Sequence, residues 1–275
     1  MTERLGAVAA TRHCLDLPAL DQLPSAPLAL ARGLKEACER ADRALAERFA
    51  AGTDVCELVH ARAWVVEQLV LSAWRHLIQT STELDLCAVG GFGRGELHPH
   101  SDVDLLILVS QTGERPEQAL ERALETLIQV LWDAGLRPGH SVRTVSECVV
   151  EAESDVGVAT NLMESRLLAG NGRLLAAMRS ATDAPALWPA DAFFAAKCAE
   201  QEARHAQFED TIYNLEPNLK EGPGGLRDIQ MIAWVTRRHF GTSTLHGLVE
   251  RGFVSEQEHD DLVAIFAEVD AVART

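Results

Sequence analysis

The fold of this chain is decided by residues 90–109, which read GGFGRGELHPHSDVDLLILV. A glycine-rich turn is followed by two aspartates one residue apart, Asp102 and Asp104, and by an apolar run that is typical of a buried strand. Because side chains alternate along a strand, we expect both carboxylates to project to the same side. Mg²⁺ prefers one or two carboxylates and completes its shell with water and phosphate oxygens. The pattern therefore predicts a nucleotide phosphate site in which Asp102 and Asp104 bind the metal and are catalytic.

The glycine turn supplies the groups that would hold the phosphates. Gly90, Gly91 and Gly93 let phosphate oxygens approach the backbone amides, and a helix that starts here adds the donors of its amino end. Arg94 offers a fork of N–H groups suited to phosphate oxygens. Ser101 is a further candidate phosphate ligand, with the capping of a turn as its alternative role. The stretch has neither the Gly-Lys-Ser/Thr of a P-loop nor the βαβ context of a dinucleotide fingerprint.

A second stretch is also distinctive, since residues 213–220 read YNLEPNLK and residues 222–229 read GPGGLRDI. Together the two stretches resemble the nucleotidyltransferase superfamily that includes DNA polymerase β. Within it they resemble the uridylyltransferase/uridylyl-removing family (GlnD) that modifies the PII nitrogen signal protein, over roughly residues 25–255. The resemblance implies an α+β fold with a polymerase β-like core around a small mixed sheet, and a D-x-D pair that holds two Mg²⁺ ions. It also implies transfer of UMP from UTP to a tyrosine of PII with release of pyrophosphate.

The chain departs from the superfamily pattern at the position of a third carboxylate. Members of the superfamily usually carry one on a neighbouring strand, where residues 139–144 of this chain read GHSVRT. Glu147 and Glu164 are two candidates for the missing charge, and neither is favoured. His140 and Arg143 have two interpretations, contact with the site or a structural role at the edge of a strand.

Lys220 and Arg227 lie in and just after the Gly/Pro-rich loop that precedes a predicted helix. Glycine-rich loops at helix starts can hold anions, so both are candidate nucleotide-binding residues. The alternative is a helix junction in which Arg227 and Asp228 form a structural pair. The dipeptide His259-Asp260 matches the metal-binding pair of the phosphohydrolase module that removes the nucleotide label in the resembling family. Such a site needs further His and Asp ligands, so we expect no removing activity from this chain.

Composition argues against several classes of protein. The formal net charge of −16 disfavours a nucleic-acid binder, because affinity for a phosphate backbone comes mainly from cationic side chains. No apolar run is long enough to cross a bilayer and the amino terminus lacks a signal pattern, so we expect no membrane contact and a cytoplasmic location. The six cysteines include no C-x-x-C pair, which argues against a zinc site and against a secreted disulfide framework.

Periodicity and breaker residues predict the order of elements. After a loosely ordered entry over residues 1–26, helices are expected at residues 28–50, 54–80, 115–134, 156–168, 174–179, 191–211, 225–240 and from 255 to the end. Strands are expected at residues 84–89, 102–109 and 140–145. The predicted domains are an amino-terminal extension and helix (residues 1–54), a nucleotidyltransferase core (residues 55–180) and a helical domain (residues 181–275). By the resemblance, the helical domain would lead into a phosphohydrolase module.

Two other functions are compatible with the same site. One is adenylyl transfer to a PII-like protein or to a small molecule, because the residues that select the base cannot be identified from one sequence. The other is a non-catalytic nucleotide-binding regulatory module, in which the missing third acid reflects lost chemistry. The retained pair Asp102 and Asp104 counts against the second of these.

Overall fold

The computed structural model describes residues 14–79, 83–110, 118–183, 187–207, 218–241, 246–250, 252 and 254–272, which form two compact units. The first unit comprises the described residues up to Glu151 together with Asn161–Thr182. The second comprises Ala152–Thr160 and the described residues from Asp183 onward. The division into residues 1–54, 55–180 and 181–275 stays a prediction.

Within residues 14–79, three helices precede the sheet: α1 (Leu17–Asp21), α2 (Pro27–Ala50) and α3 (Val55–Leu77). The expectation of a loose entry is wrong for residues 14–26, because the Asp16 carboxylate caps α1 and Leu20 lies in the core. Residues 1–13 lie outside the described part of the chain. The two predicted long helices are confirmed. Asp54 caps α3 by accepting a hydrogen bond from the Glu57 amide at 3.1 Å.

A four-stranded mixed sheet follows, with the strand order β3-β2-β1-β4. Its strands are β1 (Leu84–Ala88), β2 (Val103–Val109), β3 (Pro138–Arg143) and β4 (Arg166–Ala169). β1 is antiparallel to β2 and to β4, whereas β2 is parallel to β3. The short helix α4 (Gly90–Arg94) lies between β1 and β2, and α5 (Gln118–Asp133) makes the crossover from β2 to β3. The expected α+β fold with a small mixed sheet is confirmed.

The core of the first unit lies between this sheet and the helices α2, α3 and α5. Each element contributes side chains with essentially no exposed surface: Leu34 of α2, Leu69 of α3, Leu86 of β1, Ile107 of β2 and Leu127 of α5. Burying one such side chain stabilises the fold by about 1.5–3 kcal/mol. Because β1 and β2 are both held in this core, the segment that joins them starts and ends at fixed points.

Residues 144–170 differ most from the prediction. The helix α6 (Val145–Ser154) begins where a strand was expected to end, because Thr144 and Glu147 form a reciprocal cap. The next helix, α7 (Val156–Met163), ends before the predicted end at residue 168. Residues 166–169 form β4 instead, an edge strand that pairs with β1. A short apolar run such as 167–169 has no periodicity that separates helix from strand, so tertiary pairing decides.

The helix α8 (Arg173–Thr182) confirms the prediction of helix after residue 173. Its start is fixed by Asp85 of β1, which is fully buried. The Asp85 carboxylate accepts hydrogen bonds from the amides of Gly172 and Leu175, both at 2.9 Å. The buried Asp85 carboxylate, on an inner strand of the sheet, thereby caps α8.

The second unit is helical in its described part, with α9 (Ala190–Ala206), α10 (Leu226–Phe240), α11 (His246–Val249) and α12 (Glu256–Val272). Ser255 caps α12 as predicted: its hydroxyl accepts from the Glu258 amide at 3.2 Å. The predicted end of α9 at residue 211 lies outside the described residues. Among the described residues, no helix is long and apolar enough to cross a membrane. All six cysteines are free thiols.

Candidate functional site

The glycine turn is a short helix with an open amino end. α4 begins after Val89, which makes no side-chain cap, and Gly95 ends it in the left-handed conformation with φ +79°. Gly90 has φ +56°, a conformation that L side chains rarely adopt, so the first position of the turn requires glycine. The expected helix start at this turn is confirmed, and its first amides have no side-chain cap.

Gly93 is required for a different reason, namely close packing. A Cβ atom at this position would lie 2.1 Å from the carbonyl oxygen of Glu164 and 3.1 Å from that of Ala88. Both neighbours are main-chain atoms, so no side-chain movement could relieve the overlap. Gly93 therefore fixes α4 against the segment that leads into β4, and its role as a phosphate ligand stays a prediction.

Asp104 lies directly beside the turn. It is the second residue of β2, is half-buried, and pairs with Gly139 of β3. Its carbonyl accepts a hydrogen bond from the Val89 amide at 3.1 Å, which ties the start of β2 to the start of α4. A Cβ atom on Gly90 would lie 3.4 Å from Oδ2 of Asp104, and one on Gly139 would lie 2.7 Å from Oδ1. Two glycines from different elements thus lie against this carboxylate, and at Gly139 its oxygen occupies the room that a side chain would need.

Asp102 and Ser101 are exposed and precede the first residue of β2. The backbone before them is bent, because His100 adopts φ +66°, which is uncommon for a residue with a side chain. The Ser101 amide donates to the His98 carbonyl at 3.2 Å. The rule of alternating side chains applies within the strand, which begins at Val103, so the shared orientation of Asp102 and Asp104 stays a prediction.

The two carboxylates match the chemistry of Mg²⁺ in the kind of donor atom. Carboxylate oxygens are hard ligands, and Mg²⁺ keeps most of its shell for water and phosphate, so a pair is sufficient when a nucleotide supplies the remainder. Within the described residues, no group of three or more His, Cys, Asp or Glu side chains forms a metal site. A third carboxylate therefore does not join the pair in the described part of the chain.

Arg94 is already bound by two carboxylates. Its Nε donates to Glu96 at 2.8 Å, and its Nη1 donates to both carboxylate oxygens of Glu164 at 2.8 Å. Burial alone would lower the pKa of Arg94, but Glu96 and Glu164 outweigh it and the pKa is raised above its ordinary value. Glu164 is buried, with 6% of its side chain exposed. This arrangement gives Arg94 and Glu164 a structural function, and their predicted roles at the phosphates and metal remain untested.

The other candidate for the third carboxylate, Glu147, caps a helix. Its carboxylate accepts from the amide of Thr144 at 2.7 Å and from the Thr144 hydroxyl at 2.9 Å. These hydrogen bonds hold the pKa of Glu147 below its ordinary value. On β3, His140 is exposed, and Arg143 lies 3.6 Å from Glu151 of α6.

Lys220 and Arg227 belong to the second unit: Lys220 lies in the loop that precedes α10, and Arg227 is the second residue of α10. Lys220 is exposed, with Nζ 4.0 Å from Glu221, and the guanidinium of Arg227 is 3.2 Å from the same carboxylate. The guanidinium of Arg227 also lies over the ring of Trp234, 5.6 Å from its centroid. These contacts leave the predicted anion-binding role of Lys220 and Arg227 untested.

Asp228 has several donors, and the alternative pairing of Arg227 with Asp228 is wrong. Its partners are Arg204, Gln201 at 2.9 Å, His205 at 2.9 Å and the Gly224 amide at 2.7 Å. Burial alone would raise the pKa of Asp228, but the bonds from Arg204, Gln201 and Gly224 outweigh it and hold the pKa below its ordinary value. The adjacent cation in the sequence is Arg227, whereas the arginine that pairs with Asp228 is Arg204 of α9.

Three further residues lie near the turn and were not predicted from the sequence as part of the site. Gly139 borders Asp104, as described above. Asn161 is exposed at the end of α7, and its Oδ1 would lie 3.6 Å from a Cβ atom on Gly90, the same point that Oδ2 of Asp104 approaches. Arg166 of β4 donates to the carbonyl of Gly93 at 3.2 Å. Arg166 could not be identified, because residues 156–168 were predicted as one helix. Asn161 lies in a helix as predicted, and its position beside the turn depends on the tertiary fold.

The dipeptide His259-Asp260 lies on α12, where the His259 ring is 3.1 Å from its neighbour's carboxylate. His259 also packs edge-to-face against His246, with ring centroids 5.7 Å apart. In the described part of the chain these residues belong to no metal-binding cluster.

Comparison with known proteins gives matches to both units. The family described as "Nucleotidyltransferase domain" matches residues 70–167, and the family described as "GlnD PII-uridylyltransferase" matches residues 192–267. Proteins named bifunctional uridylyltransferase/uridylyl-removing enzyme are similar to this chain over most of its length. The protein from Stutzerimonas stutzeri is 48% identical over 243 residues, which cover 88% of this chain and 26% of the relative. The one from Azotobacter vinelandii is 47% identical over 226 residues, covering 82% and 25% respectively. The chain thus spans about a quarter of the length of these relatives.

Proposed function

Because this chain belongs to the GlnD family of nucleotidyltransferases, we propose that it transfers UMP from UTP to a tyrosine of the PII signal protein, with release of pyrophosphate. The observation that carries the proposal is the position of Asp104, whose carboxylate borders the first glycine of an uncapped helix start. A carboxylate that can bind a metal and amides that can bind phosphate lie within one small site.

In this proposal the residues of the site have separate roles in binding the metal and the phosphates. Asp102 and Asp104 would hold Mg²⁺, which when bound would lower the pKa of the attacking tyrosine hydroxyl and neutralise charge on the departing pyrophosphate. The amides of Gly90 and Gly91 bind the β and γ phosphates and leave the α phosphorus open to in-line attack. Ser101 supplies a further hydroxyl beside the pair. Catalysis by these residues is positioning and charge stabilisation, with no covalent intermediate on the protein.

The charge of the chain supports a protein acceptor over a nucleic acid. A net charge of −16 repels a polyanion, whereas a single triphosphate needs only a local site. We include in the proposal a cytoplasmic location, where UTP is available. The removing activity named in the relatives is not part of the proposal, because His259 and Asp260 have no further metal ligands within the described residues.

The experiment is to incubate the purified chain with Mg²⁺ and with UTP or ATP labelled at the α phosphorus, in the presence and absence of PII. We expect label on PII from UTP, with equimolar pyrophosphate, and none on a PII variant in which the acceptor tyrosine is replaced by phenylalanine. Label from ATP in place of UTP would establish the adenylyl alternative. Saturable UTP binding without pyrophosphate release would establish the non-catalytic module.

A further inference from the structure

We propose that Arg166 is a positioning residue that holds the glycine turn in its triphosphate-binding conformation. The inference rests on the proposed function of the turn, and it adds a residue from the far edge strand β4. Arg166 is separated from the turn by more than seventy positions in sequence, since it bonds to Phe92 and Gly93 across separations of 74 and 73.

The guanidinium of Arg166 makes contacts in three directions. Its Nε donates to the Gly93 carbonyl at 3.2 Å and its Nη2 donates to the Phe92 carbonyl at 3.3 Å. Its Nη1 is 2.7 Å from the carboxylate of Glu67 on α3. The guanidinium carbon also lies 6.0 Å from the centroid of the Phe92 ring. One planar group therefore joins α4 to the helix α3 of the core.

The turn needs such an anchor because it is short. A helix of five residues is not stable alone, and the last carbonyls of any helix lack partners within it. Arg166 donates to two of these carbonyls, of which that of Phe92 also accepts from the Gly95 amide at 3.0 Å, and places a positive charge at the carboxyl end of the helix, where the helix dipole favours a cation. The side chain is largely enclosed, with 22% exposed, so these bonds are weakly screened by water.

Other contacts also hold the carboxyl end of the turn: Arg94 bonds to Glu164 at 2.8 Å, and the His60 ring of α3 lies 2.7 Å from the Gly95 carbonyl. Because Gly93 is also in close contact with the Glu164 carbonyl, we expect loss of the Arg166 bonds to let α4 rotate rather than move towards β4. A rotated α4 would turn the amides of Gly90 and Gly91 away from the phosphates. Since those amides bind only the β and γ phosphates, the loss should depend on how many phosphates the ligand carries.

The test compares Arg166→Gln with a matched control, Arg62→Gln. Arg62 has a similar side-chain exposure of 20% and pairs with Asp42, joining α3 to α2 away from the turn. The dissociation constants of UTP and of UMP, each with Mg²⁺, are measured by calorimetry, and the melting temperature is recorded. We expect Arg166→Gln to weaken UTP binding about tenfold, the equivalent of one charge-assisted hydrogen bond, with UMP binding unchanged. Arg62→Gln should lower the melting temperature without changing either affinity.

Two further variants keep the test decisive if Arg166→Gln does not fold. Arg166→Lys retains the charge but cannot bond to both carbonyls and to Glu67, and Glu67→Gln removes only the anchor on α3. Both should weaken UTP binding in preference to UMP binding. Equal affinity in all Arg166 variants, or equal loss for UTP and UMP, overturns the proposal. Failure of the unmodified chain to bind UTP with Mg²⁺ would instead overturn the proposed function.

Discussion

Two glycine-rich segments begin helices in the described part of this chain, and their acidic residues have different surroundings. At the turn of residues 90–95, the carboxylate of Asp104 lies against Gly90 and Gly139. At the loop of residues 218–225, the carboxylate of Asp228 is enclosed by Arg204, His205, Gln201 and the Gly224 amide.

It follows from this comparison that glycine, arginine and aspartate in one stretch do not by themselves indicate an anion or metal site. A carboxylate surrounded by several donors is stabilised in place, and its coordination is already satisfied. The Asp104 carboxylate lies instead beside the first glycine of α4, where the proposed function places a metal. Within this chain the first arrangement predicts an effect of mutation on stability, and the second predicts an effect on catalysis.

The largest effect is expected for Asp104→Asn. Loss of one metal-binding carboxylate should lower the rate of UMP transfer about 10³-fold or more, since metal stabilisation of the transition state contributes several kcal/mol. The melting temperature should stay close to that of the unmodified chain, because Asn preserves the size of the side chain. The control is Asp260→Asn, an exposed aspartate on α12. Near-normal transfer by Asp104→Asn would remove the contrast between the two segments.

A smaller effect on both stability and activity is expected for Gly93→Ala. The added Cβ would overlap the Glu164 carbonyl, so the main chain must shift, at a cost of about 1–3 kcal/mol. The displaced turn should also bind UTP more weakly. Gly224→Ala is the matched variant in the second segment, since its Cβ meets nothing within 4 Å and only its φ of +74° is strained. Gly224→Ala should lower the melting temperature slightly and leave UTP affinity unchanged.

The sequence predicted the turn and the strand of Asp104 because both depend on local patterns. The glycines determine the backbone of the turn, and the short apolar run 105–109, rich in Leu, Ile and Val, is typical of a buried strand. The anchors of the turn were not predictable in the same way. Arg166 reaches α4 from a strand whose pairing with β1 is a tertiary contact, and Glu164 reaches it from the turn before that strand. The prediction of one helix over residues 156–168 did not separate these two positions from α7. Likewise, the partner of Asp228 is Arg204, which lies on another helix, and not the adjacent Arg227.

An effect on stability alone is expected for Asp228→Asn. Arg204 would lose a charged partner that has only 15% of its side chain exposed, which should lower the stability of the second unit by about 2–3 kcal/mol at pH 7. Because the folded pKa of Asp228 lies below the ordinary 3.8, its contribution is complete above that pH and is lost as the pH falls through the folded value. Urea unfolding at pH 7 and pH 3 should therefore show the difference from the unmodified chain shrinking at low pH. Glu202→Gln, an exposed change on the same helix as Arg204, is the control.

The smallest effect is expected for Glu147→Gln, and it tests whether the contrast extends to the third carboxylate. The Glu147 carboxylate is exposed and bonded to Thr144, so the change should cost about 0.5 kcal/mol of stability through a weaker cap. The rate of transfer should stay within about twofold, because a residue that caps a helix is not free to hold a metal or a proton in the reaction. A rate reduced about a hundredfold at unchanged melting temperature would identify Glu147 as the missing acid. Such a result would also show that a carboxylate held by local hydrogen bonds can exchange them for a metal, and the distinction between the two segments would then fail.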